Sequence, residues 1–104
     1  MTAVVSGTFA SGQSAAPFVP SDVLVVPDLT TTIYLTLSGD IDANNTVRRR
    51  RSLDNGQTWA NGTTYTAPIS GVAVTVTAGD QWSFQTVLSQ PGKTIGWKIS
   101  AEGP

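Results

Sequence analysis

The chain has no cysteine and no histidine among its 104 residues. Without cysteine there is no disulfide frame and no thiolate to serve as nucleophile or metal ligand. Without histidine the commonest general base and the commonest transition-metal ligand are both missing. A Ser-His-Asp triad, a Cys-His dyad and a zinc site built on these residues are excluded together. Charge is also scarce, at 12% of residues against about a quarter in an average soluble protein. Such a surface is built of Ser, Thr, Asn, Gln and Gly, and it is weakly protected against association, which hints at a protein that ends in an assembly. The net charge of −1 gives no overall electrostatic case for nucleic acid. No window approaches the roughly 20 apolar residues of a membrane-spanning helix, so no membrane partner is expected. The opening stretch, MTAVVSGTFASGQSAAPF, has neither a basic segment nor a long apolar run and is not read as a signal peptide.

What is present is alternation with period two, the mark of half-buried strands, and no 3.6-residue period. Ile33, Leu35 and Leu37 share one face of Thr31–Ser38. Val72, Val74 and Val76 do so in Val72–Thr77, Trp82, Phe84 and Leu88 in Gln81–Leu88, and Ile95, Trp97 and Ile99 in Thr94–Ser100. Weaker strand signals cover Ala3–Ala10, Ala15–Val19, Val23–Val26 and Thr46–Leu53. Between them lie turn-forming pairs, among them Pro27-Asp28, Gly39-Asp40, Asn44-Asn45, Asn55-Gly56, Asn61-Gly62 and Gly79-Asp80. The length suits one domain and is too short for two with proper cores. The expectation is an all-β chain: a single antiparallel β-sandwich over 1–104, jelly-roll or Ig-like, of about eight strands. Residues 1–20 are expected as an extended N-terminal arm. The expected core is Phe9, Leu24, Ile33, Leu35, Leu37, Val74, Val76, Trp82, Phe84, Ile95, Trp97 and Ile99, joined by Trp59 if its turn folds back.

The most informative stretch is VRRRRSLDNGQTW, Val47 to Trp59. Arg48, Arg49, Arg50 and Arg51 lie on a strand, so two point to each face. A sandwich core does not accept bare guanidinium groups. The strand therefore sits at a sheet edge guarded by charge, or its inner arginines meet carboxylates, with Asp40, Asp42, Asp54 and Asp80 available, or they lie in a subunit interface. The next residues, Ser52, Asp54, Gly56, Thr58 and Trp59, read S-x-D-x-G-x-T-W, an Asp box. There an Asp side chain accepts backbone N–H groups around a tight turn. Asp boxes recur in sialidase-like propellers as structural turns, but one copy in a chain this short makes no propeller. Asp40-Ile41-Asp42 with Asn44 and Asn45 reads as a polar hairpin loop more readily than as a calcium loop, which needs six or more oxygens. Tyr34 and Tyr65 are the candidate platform for stacking a sugar. Phe9 and Phe18 join the tyrosines and arginines as candidate interface residues. No catalytic residue, cofactor or metal is expected, and the chain is not expected to be an enzyme.

The order of segments resembles a known group. The front end reads G-T-F-x-x-x-G-Q-S-x-x-F-x-P, from Gly7-Thr8-Phe9 through Gly12-Gln13-Ser14 to Phe18 and Pro20. An alternating strand follows, then the Asp-box hairpin, then Tyr65-Thr66-Ala67-Pro68, and the chain closes on the Trp97 strand. This order is similar to small β-rich virion proteins of tailed bacteriophages. The resemblance implies a structural role in a particle assembled in the host cytoplasm. In first place stands a capsid decoration or cement protein bound across major capsid protein subunits, working as a homo-oligomer with a trimer favoured. A tail, fibre or head–tail connector component is the alternative, and a carbohydrate-binding module is the alternative of another class. Arg49 departs from the apolar–polar alternation usual ahead of the Arg-Ser pair in such proteins and favours an interface.

Overall fold

A computed structural model describes residues 4–9, 19–20, 23–88 and 92–104. Among the described residues all the regular elements are strands. They are β1 (Val4–Phe9), β2 (Val19–Pro20), β3 (Leu24–Val25), β4 (Thr32–Gly39), β5 (Asn45–Ser52), β6 (Ala60–Tyr65), β7 (Ile69–Thr75), β8 (Gln81–Leu88) and β9 (Ile95–Ser100). They form two antiparallel sheets, one in the order β1-β9-β4-β7 and the other β2-β8-β5-β6, with β3 also on β8. The short strands β2 and β3 take successive parts of one lane, opposite Thr86–Gln85 and Trp82–Gln81. Counted as eight lanes, the orders become 1-8-3-6 and 2-7-4-5. That is the double Greek-key order of a jelly roll, not the Ig-like alternative.

The core follows the alternation read from the sequence. Ile33, Leu35 and Leu37 from β4, Ile95, Trp97 and Ile99 from β9, and Trp82 and Phe84 from β8 are all buried, with Phe9, Leu24 and Val76. Trp97 joins the two sheets: its ring lies 6.2 Å from that of Phe84, edge-on at 71°, and 6.2 Å from that of Phe9. Val26, Ile41 and Val47 are buried with them and were not among the expected core residues. Val74 is only partly buried, and its inward neighbour Val72 is 37% exposed, because β7 is the last lane of its sheet. Phe9, offered as an interface residue, belongs to the core, with 3% of its surface exposed.

Of the segment expected as an arm, Val4–Phe9 is an edge strand in register with β9 from Val4↔Ser100 to Phe9↔Ile95, and Val19–Pro20 pairs with β8. Phe18 and the rest of residues 10–18 lie outside the described residues.

One strand had no expected counterpart. ANGTTY (β6) carries exposed side chains throughout except Tyr65, so it has no apolar alternation to announce it. Asn61-Gly62, read as a chain breaker, lies inside it. The register slips between Arg48↔Thr64 and Arg50↔Asn61, a bulge at Gly62-Thr63. A glycine within a strand marks such bulges and close approaches. Here a Cβ on Gly62 would lie 3.0 Å from Cγ and Nε of Arg49.

Candidate functional site: the arginine strand and its turn

Because β6 exists, β5 is an interior lane between β8 and β6. Of the three placements open for the arginines, the sheet edge is therefore overturned. The strand begins as ordinary core: Asn45 and Val47 are buried. It then carries four arginines whose environments alternate with the pleat.

Arg48 and Arg50 point away from the core and meet the residues directly opposite them on β8. Arg48 Nε donates to Gln85 Oε1 at 3.0 Å and Arg50 Nε to Ser83 Oγ at 2.5 Å. The Arg50 guanidinium also lies over the Trp59 ring, 4.1 Å from its centroid. Burial, and after it the charge of Arg48, lowers the pKa of Arg50 from its usual value. The turn does fold back, but over the outer face of the sheet. Trp59 is half-buried as the cover of Arg50 and does not join the core.

Arg49 and Arg51 share the inner face with Val47, and they are tolerated there for two reasons. First, β6 and β7 are the last lanes of their sheets and are linked by residues 66–68 alone. They form one side of the sandwich, where the inner faces are incompletely covered. Second, the side chains of β6 facing inward here are small, Ala60 and Gly62, which leaves room for an arginine stem. The two guanidiniums lie 5.8 and 5.9 Å from the Trp82 ring; Arg51 is directly opposite Trp82 on β8 and Arg49 is diagonal to it, opposite Phe84. Arg49 crosses Gly62 and donates from Nη1 to the Tyr65 hydroxyl at 3.4 Å. Between these residues lies a recess of about 230 Å³ lined by Arg49, Arg50, Arg51, Ala60, Asn61, Gly62 and Trp82. The buried indole N–H of Trp82 has no partner among the described residues.

The four aspartates expected as partners are engaged by turns instead. Asp40 Oδ2 accepts from the Thr94 N–H, Asp80 Oδ2 from the Thr77 N–H, and Asp42 Oδ1 from the N–H groups of Asn44 and Asn45 and from Asn45 Nδ2. The backbone donor of Asn44, the strongest influence, holds the Asp42 carboxyl below its ordinary range. Among the described residues, no group of three or more acidic side chains is placed to hold a metal. Nor does any carboxylate there lie within 4.0 Å of the guanidinium of Arg49, Arg50 or Arg51.

The Asp box is a closed hydrogen-bond device. Asn55 and Gly56 take left-handed φ values of 62° and 87°. Ser52 Oγ donates to Asp54 Oδ1 and accepts from the Gly56 N–H, both at 2.8 Å. Asp54 Oδ1 also accepts from the Thr58 N–H at 2.8 Å, and Oδ2 from the Thr58 hydroxyl. Chiefly through Thr58, its carboxyl is held down to about 2. Gln81 Nε2 ties the turn to β8 through Asn55 Oδ1. Both side-chain oxygens of Asp54 accept hydrogen bonds within the turn, and the box sets Trp59 over Arg50.

Tyr34 and Tyr65 do not come together. Tyr34 is on the outer face of β4, opposite Ala73 and Ser100, whereas Tyr65 is on the other sheet and packs against the core. A sugar platform formed by these two rings is ruled out. The chain matches no protein-family model, no curated protein and no solved structure.

Proposed function

We propose that this chain is a structural protein of a tailed-phage particle: a capsid decoration protein that sits across neighbouring major capsid protein subunits and resists their separation. One observation carries the reading. Four of the six Lys and Arg residues are consecutive on one strand, and three of their guanidiniums have no carboxylate within reach among the described residues. A fold that needed them for its own stability would pair them, since a partly desolvated cation without a counter-charge costs free energy. Arg49 and Arg51, on the inner face, suit an acidic partner surface that closes over the open side of the sandwich. The jelly roll is a common fold of capsid proteins, and also of lectins and cupins, so it supports the reading only by analogy. The scarcity of charge elsewhere on the chain favours assembly in the same way.

A trimer would match the threefold positions of a capsid lattice, and light scattering of the isolated protein tests it: a monodisperse monomer counts against it. Purified particles test the location. A copy number that scales with the capsid lattice is the expected result. A copy number matching a single ring or fibre moves the protein to the tail or connector, and absence from the particle overturns the reading.

A further inference from the structure

We propose that the open edge of β6, with Arg49 and Arg51, takes up an extended acidic segment of a partner protein, which adds to the sheet as one further antiparallel strand. The inference rests on the reading of the arginine face as the docking face and names the chemistry of its partner. Among the described residues β6 has a neighbour on one side only, so its outer N–H and C=O groups are a template for another strand. Natural edges are blunted by lysine, proline, inward charge or bulges; Ala60–Tyr65 carries no charge and no proline, and its bulge at Gly62-Thr63 leaves Ala60-Asn61 and Thr64-Tyr65 in register with β5. Of the other edges, β1 and β7 also lack charge but have no arginine beside them, and the β2 lane carries Pro20.

The geometry then selects an acidic strand. Arg49 crosses Gly62 and reaches the hydroxyl of Tyr65, so its head lies over β6. A strand added to that edge would run about 4.8 Å further out, one lane spacing. Arg51, opposite Ala60, is exposed; its guanidinium lies 5.9 Å from the Trp82 ring and would turn toward the β6 edge when the segment docks. Arg49 and Arg51 are two residues apart on one face, about 6.8 Å along the strand. Carboxylates at alternate positions of an antiparallel segment have that same spacing. The N–H of Trp82 and the guanidiniums that line the recess are donors alone, which suits carboxylate oxygens. A nucleic acid backbone offers no N–H and C=O ladder to the β6 edge, which separates it from this occupant.

The test uses a fluorescein-labelled peptide in which Glu alternates with Thr, followed by fluorescence anisotropy and by amide exchange of the full chain. The expected result is saturable binding, slowed exchange across Ala60–Tyr65, and binding weakened about tenfold in Arg49→Gln, with an NMR spectrum otherwise unchanged. Gly62→Val, which blocks the path of Arg49, should weaken binding similarly, and if it does not fold, Arg49→Gln still decides. Four outcomes would overturn the proposal. They are equal binding of a peptide with proline at the Thr positions, binding indifferent to Arg49→Gln, acetate binding as tightly as the peptide, and concentration-dependent protection of β6 without peptide, which would mean a second copy occupies the edge. None of these bears on the copy number in particles, so the docking chemistry and the virion role fail separately.

Discussion

The middle of the sandwich and its β5–β6 side solve the same packing problem in opposite ways. In the middle, Phe84, Trp97, Phe9 and the isoleucines and leucines of β4 and β9 exclude water and interlock across the sheets. At the side, small residues on β6 leave space that arginine stems, a tryptophan face and a tyrosine hydroxyl fill. The first arrangement is self-sufficient. The second leaves Arg49, Arg50 and Arg51 with no carboxylate in reach among the described residues, and the proposed partner would supply the counter-charge. The contrast runs within one strand: Val47 is fully buried, and four residues later Arg51 is exposed.

The largest expected effect lies in the middle. Phe84→Ala should cost about 3–5 kcal/mol, the sum of lost burial and the cavity left, read as a fall in the urea midpoint with an unchanged slope. A loss under about 1 kcal/mol would mean that the sheets are held elsewhere. Next comes the turn that covers the arginine strand. Ser52 is buried and bonds both Asp54 and the Gly56 N–H, so Ser52→Ala should cost about 1–3 kcal/mol for the donor left unsatisfied.

Asp54 gives the same region a pH signature. Its folded pKa of about 2 is below the roughly 3.9 of an unfolded chain. Its contribution is therefore complete above about pH 4 and is lost as pH falls toward 2. Asp54→Asn should lower stability at neutral pH and flatten the acid limb of a Tm-versus-pH curve; an unchanged limb would show that the box is not formed in solution. A smaller effect belongs to the Arg50–Trp59 stack. A double-mutant cycle with Arg50→Gln and Trp59→Ala should return a coupling of about 0.5–1 kcal/mol, and zero coupling would free Trp59 from its covering role.

What the sequence revealed and what it hid follow from this division. Strands with apolar alternation, such as Ile33–Leu37 and Ile95–Ile99, were legible because burial on one face imposes the period. The Asp box was legible because Asn55 and Gly56 must take positive φ and Asp54 must accept backbone donors. β6 was not legible, since a strand at the open side has no apolar face to display, and Asn61-Gly62 mimics a turn. The cost of burying guanidinium groups offered a sheet edge, aspartate partners or a subunit interface for the arginines; β6 makes β5 an interior lane, and Asp40, Asp42, Asp54 and Asp80 each hold a turn. Tyr34 and Tyr65 looked alike in sequence, and only the sheet order separates them.

The most direct test compares folding and docking in one variant, Arg51→Gln. Unfolding and reassociation with particles stripped of this protein are measured side by side against the wild type. The account predicts stability within about 0.5 kcal/mol of wild type and particle association that is clearly weakened, most of all at low salt, where charge pairing is least screened. Undiminished association, or a loss of stability large enough to explain weakened association, would contradict it.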